Sequence, residues 1–192
     1  MAIAQTAAVD TRVRILEATF EAVADFGLSR LTMEDVAGRA GCSRQTLYRY
    51  FRTKEDLVVA LVLREEERFL DGVRAAFAAH EDVEEAVREA IAFVLTSARE
   101  HPLLDRLLRT DPDALLPALT TGSEPVLARG REVLAALLRE RGADAATVRR
   151  VADAAVRLMI SYTLAGPEEP PEDVARTLAA TLTAAIRTGR TP

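Results

Sequence analysis

Apolar residues recur at intervals of three and four positions along almost the whole chain, and this spacing restricts the possible folds more than any other feature. Segment 11–26 is an example, in which four apolar residues fall on one helical face: Val13, Leu16, Phe20 and Val23. A strand would alternate polar and apolar residues instead, and no segment shows that alternation convincingly. The pattern therefore predicts an all-α protein.

Capping and helix-breaking residues divide this pattern into ten segments. Glycine and proline stand at most of the boundaries, because glycine ends helices and proline begins or interrupts them. The predicted helices are 11–26, 32–41, 43–52, 54–80, 82–100, 102–110, 112–120, 124–141, 144–164 and 171–188. We divide the chain into a three-helix head, residues 1–53, and a larger helical body, residues 54–192.

Several kinds of site and location are disfavoured by the sequence. No apolar run approaches the length of a membrane span, and the first ten residues lack the features of a signal peptide, so we expect a cytoplasmic protein without a membrane partner. The only cysteine, Cys42, excludes an intrachain disulfide. His80 and His101 lie too far apart for metal-ligand spacing, and we therefore expect neither a bound metal nor a cofactor.

Positive charge is concentrated in one short stretch, although the whole chain has a net charge of −5. Residues 39–54 contain no acidic side chain, and their basic residues are Arg39, Arg44, Arg49, Arg52 and Lys54. Because charge placement matters more than the total, the acidic balance does not exclude a nucleic acid partner.

The same stretch has the form of two short helices joined by a glycine turn. Thr32 and Asp35 resemble a capping box at the start of the first helix, and Ser43 can cap the second. Gly41 supplies the sharp turn between them. This arrangement predicts a helix-turn-helix, whose second helix enters the major groove of DNA.

The second of these helices has two chemically different faces. Leu47 and Phe51 are four positions apart and are expected to point back into the head. The opposite face carries Arg44, Gln45, Tyr48, Arg49 and Arg52. Arginine and glutamine can pair with purine edges, and hydroxyl groups contact phosphates, so this face is suited to double-stranded DNA. Ser43 adds the backbone N–H groups and positive dipole of the helix start.

The stretch TMEDVAGRAGCSRQTLYRYFRTKEDL resembles the DNA-binding signature of the TetR/AcrR repressor family. The similarity spans about residues 12–60 and includes the Thr-Leu-Tyr-x-Tyr-Phe run followed by Lys-Glu-Asp-Leu. This resemblance implies about nine helices, a DNA-binding head, and a variable carboxyl-terminal body that dimerises and binds a small-molecule inducer.

The resemblance also implies roles for individual residues. Arg44 and Gln45 would read bases, with Thr46 and Arg49 as supporting contacts. The implied phosphate contacts are Thr32, Tyr48, Tyr50 and Lys54. Glu34 departs from the family pattern, since some members place a base-contacting arginine there. Because of this departure, the resemblance does not extend to reading of the outer half-site base by the first of the two helices.

A head this small makes few DNA contacts, so we expect a homodimer that presents two heads to successive major grooves. Apolar stripes on helices 144–164 and 171–188 predict that these helices form a four-helix bundle between two chains. The predicted dimer residues are Val151, Ala155, Met159, Tyr162, Val174, Leu178, Leu182 and Ile186. Alternatively, both stripes belong only to the core of a single chain.

The body between the head and the last two helices is interpreted as a sensor for a small-molecule effector. The predicted ligand-binding residues are Phe69, Phe77, Phe93, Leu104, Leu107 and Leu108. Core packing is the commoner role for any of these residues, and this alternative stays open. Few polar groups accompany them, which favours an apolar effector.

We therefore predict a DNA-binding transcriptional regulator, namely a dimeric repressor that a small apolar ligand releases from a palindromic operator. Enzymatic activity is not expected, because the sequence has neither Glu-x-x-His pairs nor a nucleophile beside a base. The alternative function is a ligand-independent helical protein-interaction module. In that case the acid-free stretch 39–54 would have no evident purpose.

Overall fold

Helices are the only regular secondary structure in residues 2–188, the part of the chain that the computed structural model describes. The fold class is therefore all-α, as predicted. Residues 1 and 189–192, which the predicted domain ranges include, lie outside the described residues. The ten helices are α1 (Ala2–Phe26), α2 (Met33–Arg39), α3 (Arg44–Tyr50), α4 (Lys54–Ala78), α5 (Val83–Glu100), α6 (Pro102–Thr110), α7 (Pro112–Leu119), α8 (Glu124–Glu140), α9 (Ala145–Ala165) and α10 (Pro171–Thr188).

Local capping explains most of the helix boundaries. Thr32 Oγ1 accepts a hydrogen bond from the backbone N–H of Asp35 at 3.1 Å and so begins α2. Asp82 and Asp144 cap α5 and α9 in the same way. The main difference from prediction is α1, which starts well before residue 11, since its alanine-rich beginning favours a helix without a capping residue.

The packing of the chain separates two compact units, and unit 1 comprises Met1–Glu67 together with Pro102–Leu115. Its core contains Ile15 and Leu16 of α1, Leu47 of α3 and Leu57 of α4, all almost fully buried. Leu103 of α6 joins the same core. Unit 1 therefore contains the three head helices and, in addition, a helix from much later in the chain.

Unit 2 comprises Arg68–His101 and Leu116–Pro192. Within it α10 packs mainly against α5, and α8 packs mainly against α9. The largest buried side chains of its core are Phe77, Leu95, Leu138 and Val148. The predicted domain boundary after residue 53 falls inside unit 1, and it stays a prediction about which parts fold independently.

Candidate nucleic-acid interface

Ser43 determines where α3 begins. Its backbone is extended, with φ −72° and ψ 153°, and its Oγ accepts a hydrogen bond from the backbone N–H of Thr46 at 3.1 Å. The Ser43 and Thr46 hydroxyl oxygens also lie 2.9 Å apart, within hydrogen-bond distance. Because a helix start sets which residues share each face, this cap fixes the set of side chains that α3 exposes.

The two predicted faces of α3 are present in the structure. Leu47 is fully buried and Phe51, directly after the helix, is 4% exposed. The opposite side carries the exposed residues Arg44, Gln45, Tyr48 and Arg49. Tyr48 is 46% exposed, which is unusual for a large aromatic ring. Unit 1 therefore presents a basic, hydrogen-bonding helix face supported by an apolar core.

The other predicted DNA-binding residues lie close to α3 in sequence, and they differ in exposure. Thr32 is exposed, and its hydroxyl donates to the Asp35 carboxylate at 2.5 Å. Tyr50 is half-buried against the core of unit 1, and the Arg49 guanidinium lies 5.5 Å from the centre of its ring. Lys54 is half-buried at the first position of α4.

An acidic residue also lies beside this face. The Nη2 atom of Arg44 donates to Oε2 of Glu34 at 2.9 Å, joining the first turn of α2 to the start of α3. The sequence identified Glu34 only as a departure from the family pattern and did not predict this pair. Arg39, in contrast, pairs with Asp25 at 2.8 Å and lies over the ring of Phe26. Its positive charge is therefore paired within unit 1.

Helix α6 binds the end of α1 through Arg106. Its Nε atom donates to the carbonyl oxygen of Ala24 at 2.9 Å, and its Nη2 atom donates to the carbonyl oxygen of Asp25. Carbonyl groups at the end of a helix have no partner within the helix, so Arg106 caps α1 from another element. This contact holds α6 to the head.

Asp111, just after α6, binds the loop between α1 and α2. Its carboxylate accepts hydrogen bonds from the backbone N–H groups of Leu28 at 3.0 Å and Ser29 at 3.1 Å, and also from the Ser29 hydroxyl. Thr110 Oγ1 donates to the same carboxylate at 2.6 Å. We refer to Arg106, Thr110 and Asp111 as the α6 bracket. No sequence pattern indicated it.

The hydrogen bonds around Asp111 lower the pKa of its carboxyl group. Hydrogen bonds from the side chains of Ser29 and Thr110, and then those from the backbone of Leu28 and Ser29, favour the charged carboxylate and hold its pKa below the ordinary value. A lowered folded-state pKa gives a stabilisation that is complete above the unfolded-state value and is lost as the pH falls through the folded-state value. The charged Asp111 carboxylate therefore contributes its full stabilisation of the fold at neutral pH.

The structure shows where the eight predicted dimer residues lie within a single chain. Five of the eight predicted residues are buried in the core of unit 2, within a single chain: Val151, Ala155, Val174, Leu182 and Ile186. Met159, Tyr162 and Leu178 are partly buried against that same core. Their stripes face neighbouring helices of the same chain, as the alternative of a core within a single chain predicts. The choice of these residues for the dimer stays a prediction, and so does the dimer itself.

The predicted ligand-binding residues are divided between the two units. In unit 2, the rings of Phe69 and Phe93 lie together with their centres 5.9 Å apart. Phe77 is only 2% exposed, and it is a core residue of that unit. Unit 1 contains the three leucines, Leu104, Leu107 and Leu108, of which Leu107 packs against its core. Among these six residues, the ring contact of Phe69 and Phe93 joins two different helices, α4 and α5.

Within residues 2–188, no three His, Cys, Asp or Glu side chains are grouped so that they could bind a metal ion. None of the described helices combines the length and apolar character that a membrane crossing requires.

Two family models match most of the chain. Residues 15–61 match the model for bacterial regulatory proteins of the tetR family, and residues 82–184 match the model for the C-terminal domain of the bacterial tetracycline repressor. Over 185 residues the chain is 32% identical to the HTH-type transcriptional regulator AlkX of Mycobacterium tuberculosis. That alignment covers 90% of this chain and 85% of the relative.

Solved structures show the same similarity. The TetR family repressor AlkX of Dietzia sp. strain DQ12-45-1b, implicated in the biodegradation of n-alkanes, is 31% identical, with a TM-score of 0.74 over 92% of this chain and 97% of that one. SmeT in complex with triclosan is 20% identical, with a TM-score of 0.60 over 92% and 91% of the two chains. The likeness to SmeT concerns the fold alone.

Proposed function

Because the chain belongs to the TetR family of bacterial transcriptional regulators, we propose that the exposed face of α3 reads an operator as one half of a dimeric repressor. The observation that carries this proposal is the separation of faces on α3. Leu47 anchors the helix in the core, while Arg44, Gln45 and Arg49 are exposed on an acid-free stretch. Arginine and glutamine make bidentate contacts with guanine and adenine edges.

We assign different roles to the residues around α3. Arg44 and Gln45 contact base edges, supported by Thr46 and Arg49. Backbone phosphates are bound by Thr32, Ser43, Tyr48, Tyr50 and Lys54. Phosphate contacts position a protein on DNA, whereas base contacts give it sequence specificity. The chain acts by binding rather than by catalysis, and it does so in the cytoplasm, where its DNA partner lies.

Two alanine substitutions separate these roles. Arg44→Ala is expected to weaken binding to the preferred site by about 1–3 kcal/mol and to relax the base preference at one position in each half-site. Lys54→Ala is expected to weaken binding to all duplexes alike and to make the salt dependence shallower. Fluorescence anisotropy at several salt concentrations measures both effects. Equal losses with unchanged base preference and salt slope in both variants would refute the assignment.

Exposed faces of α9 and α10 support the dimer. The carboxyl-terminal half of α9 has apolar residues outside the stripe that enters the core, including Leu158, which is 38% exposed, and the half-buried Ile160 and Leu164. Apolar residues on more than one face indicate that a helix packs against more than one neighbour. The outward face of α10 carries small exposed side chains, Thr177, Ala180, Thr181 and Ala184. Small residues allow a second helix to approach closely, so we propose that these faces meet their copies in a four-helix bundle.

The proposed effector is a small apolar molecule bound in unit 2 near Phe69 and Phe93. The ring of Phe93 lies directly over Gly72 of α4, where a Cβ atom would come within 2.1 Å of Cζ. The involvement of the Dietzia relative in n-alkane degradation supports a hydrocarbon-like ligand. Helix α4 contributes residues to both units, so we propose that it couples ligand binding to the DNA-binding face.

Replacing Phe93 tests this site. In the wild type, one member of a panel of straight-chain alkanes, alcohols and fatty acids is expected to weaken operator binding about 5- to 150-fold. Phe93→Ala should reduce that response and leave the affinity without ligand nearly unchanged. Val126→Ala, at an exposed apolar position of α8, is the control. If the same ligand concentrations release Phe93→Ala and the wild type from the operator, the ligand binds at a different place.

A further inference from the structure

Glu34 and Arg44 form an ion pair that contributes little to the stability of the fold. Their side chains are 69% and 62% exposed, and exposed ion pairs are typically worth about 0–1 kcal/mol. Arg39 and Asp25 form a different kind of pair, because the Arg39 side chain is 30% exposed and also lies over the ring of Phe26. The Glu34–Arg44 pair instead lies at the start of the helix assigned to base reading.

We infer that Glu34 is a specificity-determining residue, which holds Arg44 for a guanine edge and opposes the use of Arg44 on the phosphate backbone. This inference rests on the proposed DNA-binding function of α3. Glu34 acts through Arg44 and is therefore a positioning residue. The family match does not assign it this role, since the resemblance places an arginine at this position in some members.

The first step of the argument is the direction of the carboxylate. Asp35, the neighbouring acid, is held in the cap of α2 by its hydrogen bonds with Thr32. Glu34 is instead directed at Arg44, with its Oε2 atom 2.9 Å from Nη2. Residues 39–54 contain no carboxylate of their own, and Glu34 is the acid that α2 directs at Arg44.

The second step compares the two targets that DNA offers to Arg44. To bind a phosphate, Arg44 would either leave Glu34 unpaired near the negative backbone or carry that carboxylate towards it, and both options cost electrostatic energy. To bind guanine, Arg44 can keep Nη2 on Glu34 and donate to O6 and N7 with its remaining N–H groups. The pair therefore lowers affinity for DNA in general and retains affinity for guanine.

Glu34→Gln tests this inference, since it keeps the shape of the side chain and removes its charge. The probes are a labelled duplex carrying the site that the wild type selects from random DNA, and a scrambled duplex of the same composition. The variant is expected to bind the scrambled duplex about three- to tenfold more tightly, so that the ratio of the two affinities falls. The salt dependence should steepen by up to about one phosphate contact, because Arg44 becomes free to bind the backbone.

Two further variants separate specific positioning from a general change in charge. Glu140→Gln removes one negative charge from an exposed position of α8 and is expected to leave the affinity ratio unchanged. In an Arg44→Gln background, Glu34→Gln should no longer alter base preference, because its effect passes through Arg44. Circular dichroism of each variant tests whether it is folded.

The outcomes separate this inference from the proposed function. An unchanged affinity ratio and guanine preference in Glu34→Gln would overturn the role of Glu34 while leaving DNA binding intact. An equal change in Glu140→Gln would also overturn it, since net charge would then explain the effect. A wild type that selects no sequence and binds both duplexes equally would instead contradict the proposed function itself.

Discussion

Ala180→Glu is expected to convert the dimer into a folded monomer and to lower operator affinity by about 10²- to 10⁴-fold. Ala180 is exposed on the outward face of α10, so the substitution removes no contact within the chain. In the proposed bundle, however, it would bury a charge in a closely packed seam, which costs several kcal/mol. Loss of the dimer removes the second head, and with it the large gain in affinity that two linked binding sites provide.

The matched control for this variant is Ala75→Glu, which places the same side chain at an exposed position of α4. Sedimentation equilibrium should show the control as a dimer and Ala180→Glu as a monomer, with the same helical content by circular dichroism. A wild type that is monomeric at micromolar concentration, or an Ala180→Glu variant that remains dimeric, would refute the proposed interface.

Gly27→Ala is expected to destabilise the protein by about 2–4 kcal/mol, because two separate costs coincide at this position. The backbone of Gly27 has φ +82°, a left-handed conformation that disfavours side chains. In addition, a Cβ atom would lie 2.8 Å from Oδ2 of Asp111 and 2.8 Å from Oγ1 of Thr110. The methyl group would therefore push against the α6 bracket as well as straining the turn.

Gly41→Ala provides the control for the backbone cost alone. Gly41 has φ +61°, and a Cβ atom added there would meet no atom within 4 Å, so the expected loss is only about 1 kcal/mol. Urea unfolding measures both free energies. If the two variants lose the same stability, the side chains of Asp111 and Thr110 move away from the methyl group at no cost in free energy. The bracket then does not fix the loop between α1 and α2.

The sequence was sufficient to predict the buried and exposed faces of α3 because those faces depend on local features. Ser43 caps α3 by accepting a hydrogen bond from the backbone N–H of Thr46, three positions later. The burial of Leu47 and Phe51 follows from helical periodicity. The capping of α2 by Thr32 is equally local. Each of these features is determined within a few residues, where propensity, capping and periodicity all favour the same structure.

Contacts between distant segments could not be predicted in this way. Asp111 binds Leu28 across 83 positions of the chain, and only folding of α6 into unit 1 brings them together. The stripes on α9 and α10 were identified correctly as apolar, but periodicity does not show which neighbour a stripe faces. Val151 and Leu182 face the core of their own chain. The helix faces that remain exposed became evident only once that packing was known.

The most direct test of the account is to select bound duplexes from a random DNA library with the wild-type protein. A dimer that presents α3 twice should enrich an inverted repeat of two identical half-sites, with centres one helical turn apart, about 34–36 Å, or a whole multiple of that distance. Each half-site should contain a guanine whose preference disappears in Arg44→Ala. Enrichment of no sequence, or of a single half-site without its inverted copy, would contradict the central claim that two copies of α3 read the operator.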